Sequence, residues 1–418
     1  MRRLIIKGGA PLHGRVRISG SKNTALPILA GSILLKGETV LRNIPCLNDV
    51  ITMIRLLRSL GITAEYQEPQ TVRIHVNGSI KHVASYELVT KMRATFFIIG
   101  PILARMGLAK VPLPGGCAIG LRPVNIHLKG LEQLGATIHI EHGFVIVQAK
   151  KLKGARVYMD YPSVGATETI IMAAVLAEGT TVIENAAKEP EIGDLVSFLN
   201  LAGAKISGAG TETVVVEGVS DLHGVDYSVI PDRIEAGTFM VGTALTRGDV
   251  ILGPIIPSHI ESIVQKLREA GVVVDVGSDE VRVRSNGALT AVDAKTMPYP
   301  GYTTDMQPQL IALMSVAQGT SLVTETVFEH RFTHINELRR MGADIRIEDR
   351  SAVIRGVSRL SGAPVRASDL RAGAALVMAA CAAEGETVIE DMDRQIDRGY
   401  EEFAQKLTGL GATVKALE

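Results

Sequence analysis

Six glycines at nearly equal spacing divide this chain. They lie in "LGITAEY" (60–66), "LGATIHI" (134–140), "AGAKISG" (202–208), "AGVVVDV" (270–276), "MGADIRI" (341–347) and "LGATVKA" (410–416). Their positions, 61, 135, 203, 271, 342 and 411, are 74, 68, 68, 71 and 69 residues apart. Each follows a stretch of helical apolar spacing, as in "IVQKLREAG", and precedes an alternating pattern. That is how a glycine closes a helix and opens a strand. A second series, Gly37, Gly107, Gly179, Gly248, Gly319 and Gly385, runs out of phase with gaps of 70, 72, 69, 71 and 66. The segments before it, such as "TIIMAAVLAEG", are nearly all apolar, and strands rich in Val, Thr and Ile follow.

A period held along the whole chain reads as internal repetition: six units of about seventy residues, each of βαβαββ type with two helices. A helix without a polar face is buried all round. Three units per domain would bury one such helix from each unit and leave the sheets outside. With 418 residues, that gives two α/β domains of like architecture and a cleft between them.

Composition narrows the function. The 44 basic and 44 acidic residues cancel, so no global field favours nucleic acid or an anionic membrane. There is no Trp, and aromatic residues make up only 4%, which disfavours base-stacking platforms. Uncharged stretches such as Ala94 to Ala104 fall short of the roughly 18 residues a membrane helix needs, and no signal-peptide core follows the start. Three cysteines, 46, 117 and 381, are an odd number without metal-like spacing, so a reducing cytoplasm is expected. His330 and His334 are four apart but lack a third ligand, and His139 and His142 fall on opposite faces of a strand pattern, so no metal site is expected.

Polar clusters stand 14 or 15 residues before each glycine of the second series: Ser21-Lys22-Asn23, Met92-Arg93, Ser163-Val164-Gly165, Asp232 to Glu235, Thr304 to Gln307 and Asp369 to Arg371. Ser21, Asp232, Thr304 and Asp369 suit helix capping. Lys22, Arg93, Arg233 and Arg371 do not, because a cation there opposes the helix dipole by ~0.3–1 kcal/mol. Repeated cations at helix heads point to an anionic, phosphorylated ligand.

The motifs "SGSKNTALPILAGSIL", "MRATFFIIGPILAR", "LPGGCAIGLRPVNIH", "PSVGATETIIMAAVLAEG", "PDRIEAGTF", "TDMQPQ", "TETVFEHRFTH", "DLRAGAALVMA" and "IDRGYE" closely resemble the UDP-N-acetylglucosamine 1-carboxyvinyltransferase family. These enolpyruvyl transferases open bacterial peptidoglycan synthesis, and through it serve cell shape and division. The match covers the chain from end to end in order. The resemblance implies a two-domain inside-out α/β barrel, with one domain at 22–229 and the other joining 1–21 to 230–418. It also implies transfer of the enolpyruvyl group of phosphoenolpyruvate to the 3′-hydroxyl of UDP-N-acetylglucosamine, with loss of phosphate.

By the same resemblance the catalytic set is Cys117, Asp305, Lys22 and Arg398. Cys117 would be the general acid, able to form a phosphoenolpyruvate adduct and open to fosfomycin, while Asp305 would be the base for the sugar hydroxyl. An ordinary thiol, with a pKa of about 8.5, keeps its proton at neutral pH. Gly115, Gly116 and Gly120 suit a mobile lid. Cys46 and Cys381 are expected to be small buried hydrophobes. Phosphoenolpyruvate would meet Lys22, Asn23, Arg122 and Arg398, with Arg331 and Arg371 as further contributors. UDP-N-acetylglucosamine would meet Arg93, Arg122, Pro123, Val124, Asn125, Ile126, Ser163, Val164, Gly165, Asp305 and Val327. For Asp305 the competing role is a helix cap. No metal, no other cofactor and no protein, nucleic-acid or membrane partner is implied. The rival functions are an enolpyruvyl transferase acting on shikimate 3-phosphate and a catalytically silent binder of UDP-N-acetylglucosamine.

Overall fold

The computed structural model describes residues 2–114 and 124–417. The described chain divides into two compact units, one from 2–19 with 231–417 and the other from 20–114 with 124–230. Each has its own apolar core and three sheets.

One strand order recurs. Arg156–Tyr158 and Thr180–Glu184 pair in parallel around the Val164–Ala174 helix, and the Lys205–Ser207/Thr213–Glu217 hairpin adds antiparallel to the second strand. The hairpin strand Thr213–Glu217 alternates as its sequence does, burying Val214 and Val216. His13–Arg17, Asp249–Gly253, Val273–Val276 and Val281–Arg284 repeat the order, as do Ala294–Lys295, Thr320–Thr324, Asp344–Glu348 and Ser351–Arg355. In the sheet that begins at Pro364–Arg366, the chain's first strand, Arg2–Lys7, takes the third place, between Glu386–Asp391 and Thr413–Leu417. In the other unit, Leu222–His223 and Asp226–Ser228 return to pair with Leu35–Arg42.

Inside the first unit the helices Arg233–Leu245, Gln307–Met314 and Leu370–Ala382 pack on one another. Every residue of the first two is buried. In the second unit Lys22–Gly31, Ile99–Met106 and Val164–Ala174 occupy the corresponding positions, with the 3₁₀ turn Arg93–Ile98 leading into Ile99–Met106.

All six glycines of the first series have φ between +88° and +104°. The second series departs in two places. Gly37 lies within the strand Leu35–Arg42 rather than at a helix end. At Gly248 the positive φ has moved to Arg247, at +56°. Gly248 is required for space instead, since a Cβ there would stand 2.1 Å from the Leu12 carbonyl oxygen. Gly385, at φ +90°, has open space around it. Gly248→Ala is therefore expected to cost ~3 kcal/mol, the upper end of overpacking, and Gly385→Ala only ~1 kcal/mol for its backbone strain. Urea midpoints of the two variants test that order.

His334, in the first turn of Thr333–Arg340, is buried, and its Nε2 has no hydrogen-bond partner. Burial pushes its pKa down to about 4; Arg331 adds to this and Asp369 opposes it. The folded value lies below the ordinary 6.5, so the unfolded chain binds the extra proton. The contribution is whole above pH 6.5 and is lost as pH falls toward 4. His334→Leu should remove about 2–3 kcal/mol of the stability lost between pH 7 and pH 4.5. Paired urea titrations at the two pH values measure this.

Candidate active site

Four of the polar clusters sit where a buried helix begins, while Met92-Arg93 and Thr304 to Gln307 open 3₁₀ turns that lead into one. The Ser21 hydroxyl accepts the N–H of Thr24 at 3.3 Å, and Ser163 accepts that of Ala166 at 3.4 Å. Asp232 takes the N–H groups of Ile234 and Glu235 at 2.7 and 3.1 Å. Asp369 takes those of Arg371 and Ala372 at 2.9 and 3.0 Å. The 3₁₀ turn Thr304–Met306 that leads into Gln307–Met314 is capped by Thr303 rather than Thr304, and Thr303 accepts the N–H of Asp305 at 3.4 Å. Asp305 is thus no cap, and its carboxylate is directed elsewhere.

That carboxylate lies between two guanidiniums. Arg331 Nη1 is 2.8 Å from Oδ1, while Arg371 Nη2 and Nε are 3.0 and 3.2 Å from Oδ2. The arginine side chains are 4% and 1% exposed against 22% for Asp305, so the cations lie beneath and the carboxylate faces outward. Arg371 also rests 5.3 Å from the centre of the Tyr400 ring. Burial works against its charge, but Tyr400, Asp305 and Asp232 outweigh it and hold its pKa above the usual arginine value. Opposite charges at this range favour an ionised carboxylate and weaken it as a base, so the group suits holding and orienting a hydroxyl. Arg331 and Arg371, expected to contact phosphoenolpyruvate, are engaged with Asp305 and keep one buried nitrogen each, Nε and Nη1, without a hydrogen-bond partner.

Val327 belongs to the same neighbourhood. Its N–H donates to Glu325 at 2.8 Å, and the other Glu325 oxygen takes the Thr304 hydroxyl at 2.9 Å. Arg398 ends the 3₁₀ turn Ile396–Arg398, is half-buried, and donates to Gln395 at 3.0 Å. It stands two residues before Tyr400.

In the other unit Lys22 is the first residue of its helix and pairs with Asp49 at 2.7 Å, both side chains being buried. So two of the helix-head cations, Lys22 and Arg371, already have protein carboxylates. Asn23 and Arg93 are half-buried. Three more elements meet at Gly165, where a Cβ would stand 3.0 Å from the Phe97 ring and 3.1 Å from His127. This brings Ser163, Val164 and Gly165 beside the Arg93–Ile98 turn and the Asn125–Gln133 helix, which carries Asn125 and Ile126 and is preceded by Val124. Cys117, Arg122 and Pro123 lie outside the described residues. Of the other cysteines, Cys381 is buried as expected, with its thiol pushed up to about 12 by burial, whereas Cys46 is exposed on a loop.

Sequence reasoning missed Asp49, Glu325 and Tyr400. The first two are single acidic residues with no spacing to mark them, and Tyr400 stood unused inside the "IDRGYE" motif. It also missed Glu168, fully buried with neither oxygen bonded. Burial, then Glu191 and Glu189, pushes that carboxyl well above its ordinary range.

Comparison with known proteins gives a consistent answer. The EPSP synthase (3-phosphoshikimate 1-carboxyvinyltransferase) family model matches residues 6–407. The chain is 54% identical over 417 residues to UDP-N-acetylglucosamine 1-carboxyvinyltransferase 2 of Carboxydothermus hydrogenoformans, covering 99% of each. It is 53% identical over 413 residues to UDP-N-acetylglucosamine 1-carboxyvinyltransferase 1 of Caldanaerobacter subterraneus subsp. tengcongensis, again covering 99% of each. Among solved structures it resembles the enolpyruvyl transferase NikO from Streptomyces tendae, with TM-score 0.90, 27% identity and coverage of 99% of this chain and 98% of that one. EPSP synthase from Acinetobacter baumannii, at 18% identity, TM-score 0.78 and full coverage of both chains, shares the fold. The chain belongs to the EPSP synthase family, and within it to the UDP-N-acetylglucosamine 1-carboxyvinyltransferases.

Proposed function

We propose that this protein transfers the enolpyruvyl group of phosphoenolpyruvate to the 3′-hydroxyl of UDP-N-acetylglucosamine and releases phosphate, the step that opens peptidoglycan synthesis. Near-complete alignment at more than half identity with proteins named for this reaction carries the reading. Each unit is read as an inside-out α/β barrel of three repeats, with buried helices inside and sheets outside. The division into 22–229 and 1–21 with 230–418 belongs to the same proposal, as does a cytoplasmic setting. No helix among the described residues is long and apolar enough to cross a membrane.

The reaction is an addition followed by an elimination. The sugar oxygen bonds to C2 of phosphoenolpyruvate as its own proton leaves and a proton arrives at C3. Phosphate then departs from C2 as C3 gives a proton back. No atom changes hands with an oxidant, so side chains suffice as acid, base and counter-ions. Asp305, partly exposed and braced by Arg331 and Arg371, is the acceptor for the hydroxyl proton. Lys22 and Asn23 at their helix head, with Arg122 and Arg398, hold the phosphate and carboxylate of phosphoenolpyruvate. Cys117 is assigned the acid at C3 on its sequence motif alone. Arg93, residues 122–126, Ser163 to Gly165 and Val327 are assigned to the nucleotide sugar, where free N–H groups at a helix start suit a diphosphate.

Phosphate release from phosphoenolpyruvate is expected only with UDP-N-acetylglucosamine present, and to fall roughly 10²–10⁴-fold in Asp305→Ala and in Cys117→Ser, the usual effect of losing an acid or base. Sugar-dependent release that survives in Cys117→Ser would remove the acid from Cys117 and keep the reaction. Binding of the sugar nucleotide without any release would indicate a silent binder. Fosfomycin is expected to add one equivalent of mass at Cys117 with the sugar nucleotide present, and an unmodified intact mass would count against a reactive thiol there.

A further inference from the structure

We propose that Glu325 is a positioning residue for this reaction, acting through the Thr304 hydroxyl on Arg331 and so on Asp305. The proposal rests on the reading of Asp305 as the group that takes the sugar hydroxyl proton.

Glu325 follows the strand Thr320–Thr324 and is wholly buried. Four donors converge on it. Oε1 takes the Thr296 hydroxyl at 2.7 Å and the N–H groups of Val327 and Phe328 at 2.8 and 3.0 Å. Oε2 takes the Thr304 hydroxyl at 2.9 Å. A group that meets only donors serves as an acceptor at every position, as an ionised carboxylate does.

The consequence lies in the direction of one proton. A threonine hydroxyl has a single hydrogen to give. Glu325 claims that of Thr304, which turns a lone pair of the same oxygen toward Arg331. Arg331 Nη1 donates into it at 3.0 Å. The same nitrogen is 2.8 Å from Asp305 Oδ1, an ion pair beside the hydrogen bond that Thr304 accepts. With that nitrogen held by Thr304, its charge stays against Asp305. Glu325 reaches Arg331 by a second route, because the Phe328 N–H it holds belongs to the ring 5.6 Å from the guanidinium centre. From Glu325 through Arg331 and Asp305 to Arg371 the charges alternate in sign, with Thr304 as the neutral coupler.

Replacing Glu325 by Gln keeps the shape and can keep the three Oε1 bonds. It presents an NH₂ group to Thr304, whose hydroxyl then cannot donate there and loses its fixed direction. Thr304→Val removes the coupler alone, and Thr304→Ser retains it. Steady-state phosphate release with both substrates varied should show kcat down roughly 10- to 100-fold in Glu325→Gln and Thr304→Val, the effect of losing a hydrogen bond to a charged group. KM for each substrate should stay within about threefold, as for an interaction made in the transition state. Thr304→Ser should recover most of the lost kcat.

Wild-type kcat in Thr304→Val, a rise in KM with kcat kept, or a loss that Thr304→Ser does not recover would each overturn the relay. Should Glu325→Gln fail to fold, the two threonine variants decide alone. Asp305→Ala separates the two levels. If it is inactive while Thr304→Val matches wild type, the relay fails and the role of Asp305 stands. If Asp305→Ala is fully active, the assignment beneath the relay fails, and the relay with it.

Discussion

A helix buried on every side leaves few places for a polar group, and both the fold and the site follow from that constraint. In the Arg233, Gln307 and Leu370 helices the interior polar side chains must bond to one another or to their own backbone. Gln309 donates to Thr238 and Tyr400 at 3.0 and 3.2 Å. Thr243 and Ser315 turn back to carbonyls one turn earlier. Charge is confined almost entirely to the heads of such helices, where free N–H groups need acceptors. Ser21, Ser163, Asp232, Thr303 and Asp369 supply those acceptors. The residues just after them are therefore the ones available for chemistry.

Placing a cation there has a cost that capping does not remove. The dipole opposes it by ~0.3–1 kcal/mol, and burial opposes it further. Lys22 is answered by Asp49, and Arg371 by Asp305. Breaking such a buried pair typically costs ~3–5 kcal/mol, because the remaining charge is stranded. The pairs thus fix geometry more than they add net stability. Asp305 receives three guanidinium contacts while its side chain is 22% exposed, which makes it a rigid acceptor rather than a mobile one.

This explains what could be read from sequence and what could not. Helix-closing glycines are local, so all six of the first series adopt the conformation their context implies. Gly248 looks the same in sequence but is needed because Leu12, from a distant segment, passes against it. The cap at Thr303 instead of Thr304 is a shift of one residue, within the usual uncertainty of a helix boundary. Cys46 is exposed because it lies on the loop before Asn48–Ser59, a placement that composition does not reveal. The partners of the charged residues were out of reach altogether. Arg371 finds Asp305 across 66 positions, and periodicity carries no information about side-chain pairing at that range.

The discontinuous unit contains a second instance of the hydroxyl-coupled arrangement, which indicates what the device is for. Ser19 lies at the end of the segment 2–19 that packs with 231–417. Its hydroxyl accepts from Lys406 Nζ at 2.6 Å and donates to Glu401 at 2.7 Å, while its N–H donates to Glu235 at 2.7 Å. Lys406 also bonds Glu235, whose carboxyl is raised by burial and lowered again by that lysine. Thr304 likewise accepts from a cation, Arg331, and donates to a carboxylate, Glu325. In both places a hydroxyl between opposite charges has no rotational choice, because its one proton must face the anion. A direct ion pair fixes a distance, whereas the inserted hydroxyl also fixes a direction. At Ser19 that direction anchors a segment 382 positions from its carboxylate partner in sequence, and at Thr304 it holds a guanidinium beside the carboxylate assigned here to the sugar hydroxyl.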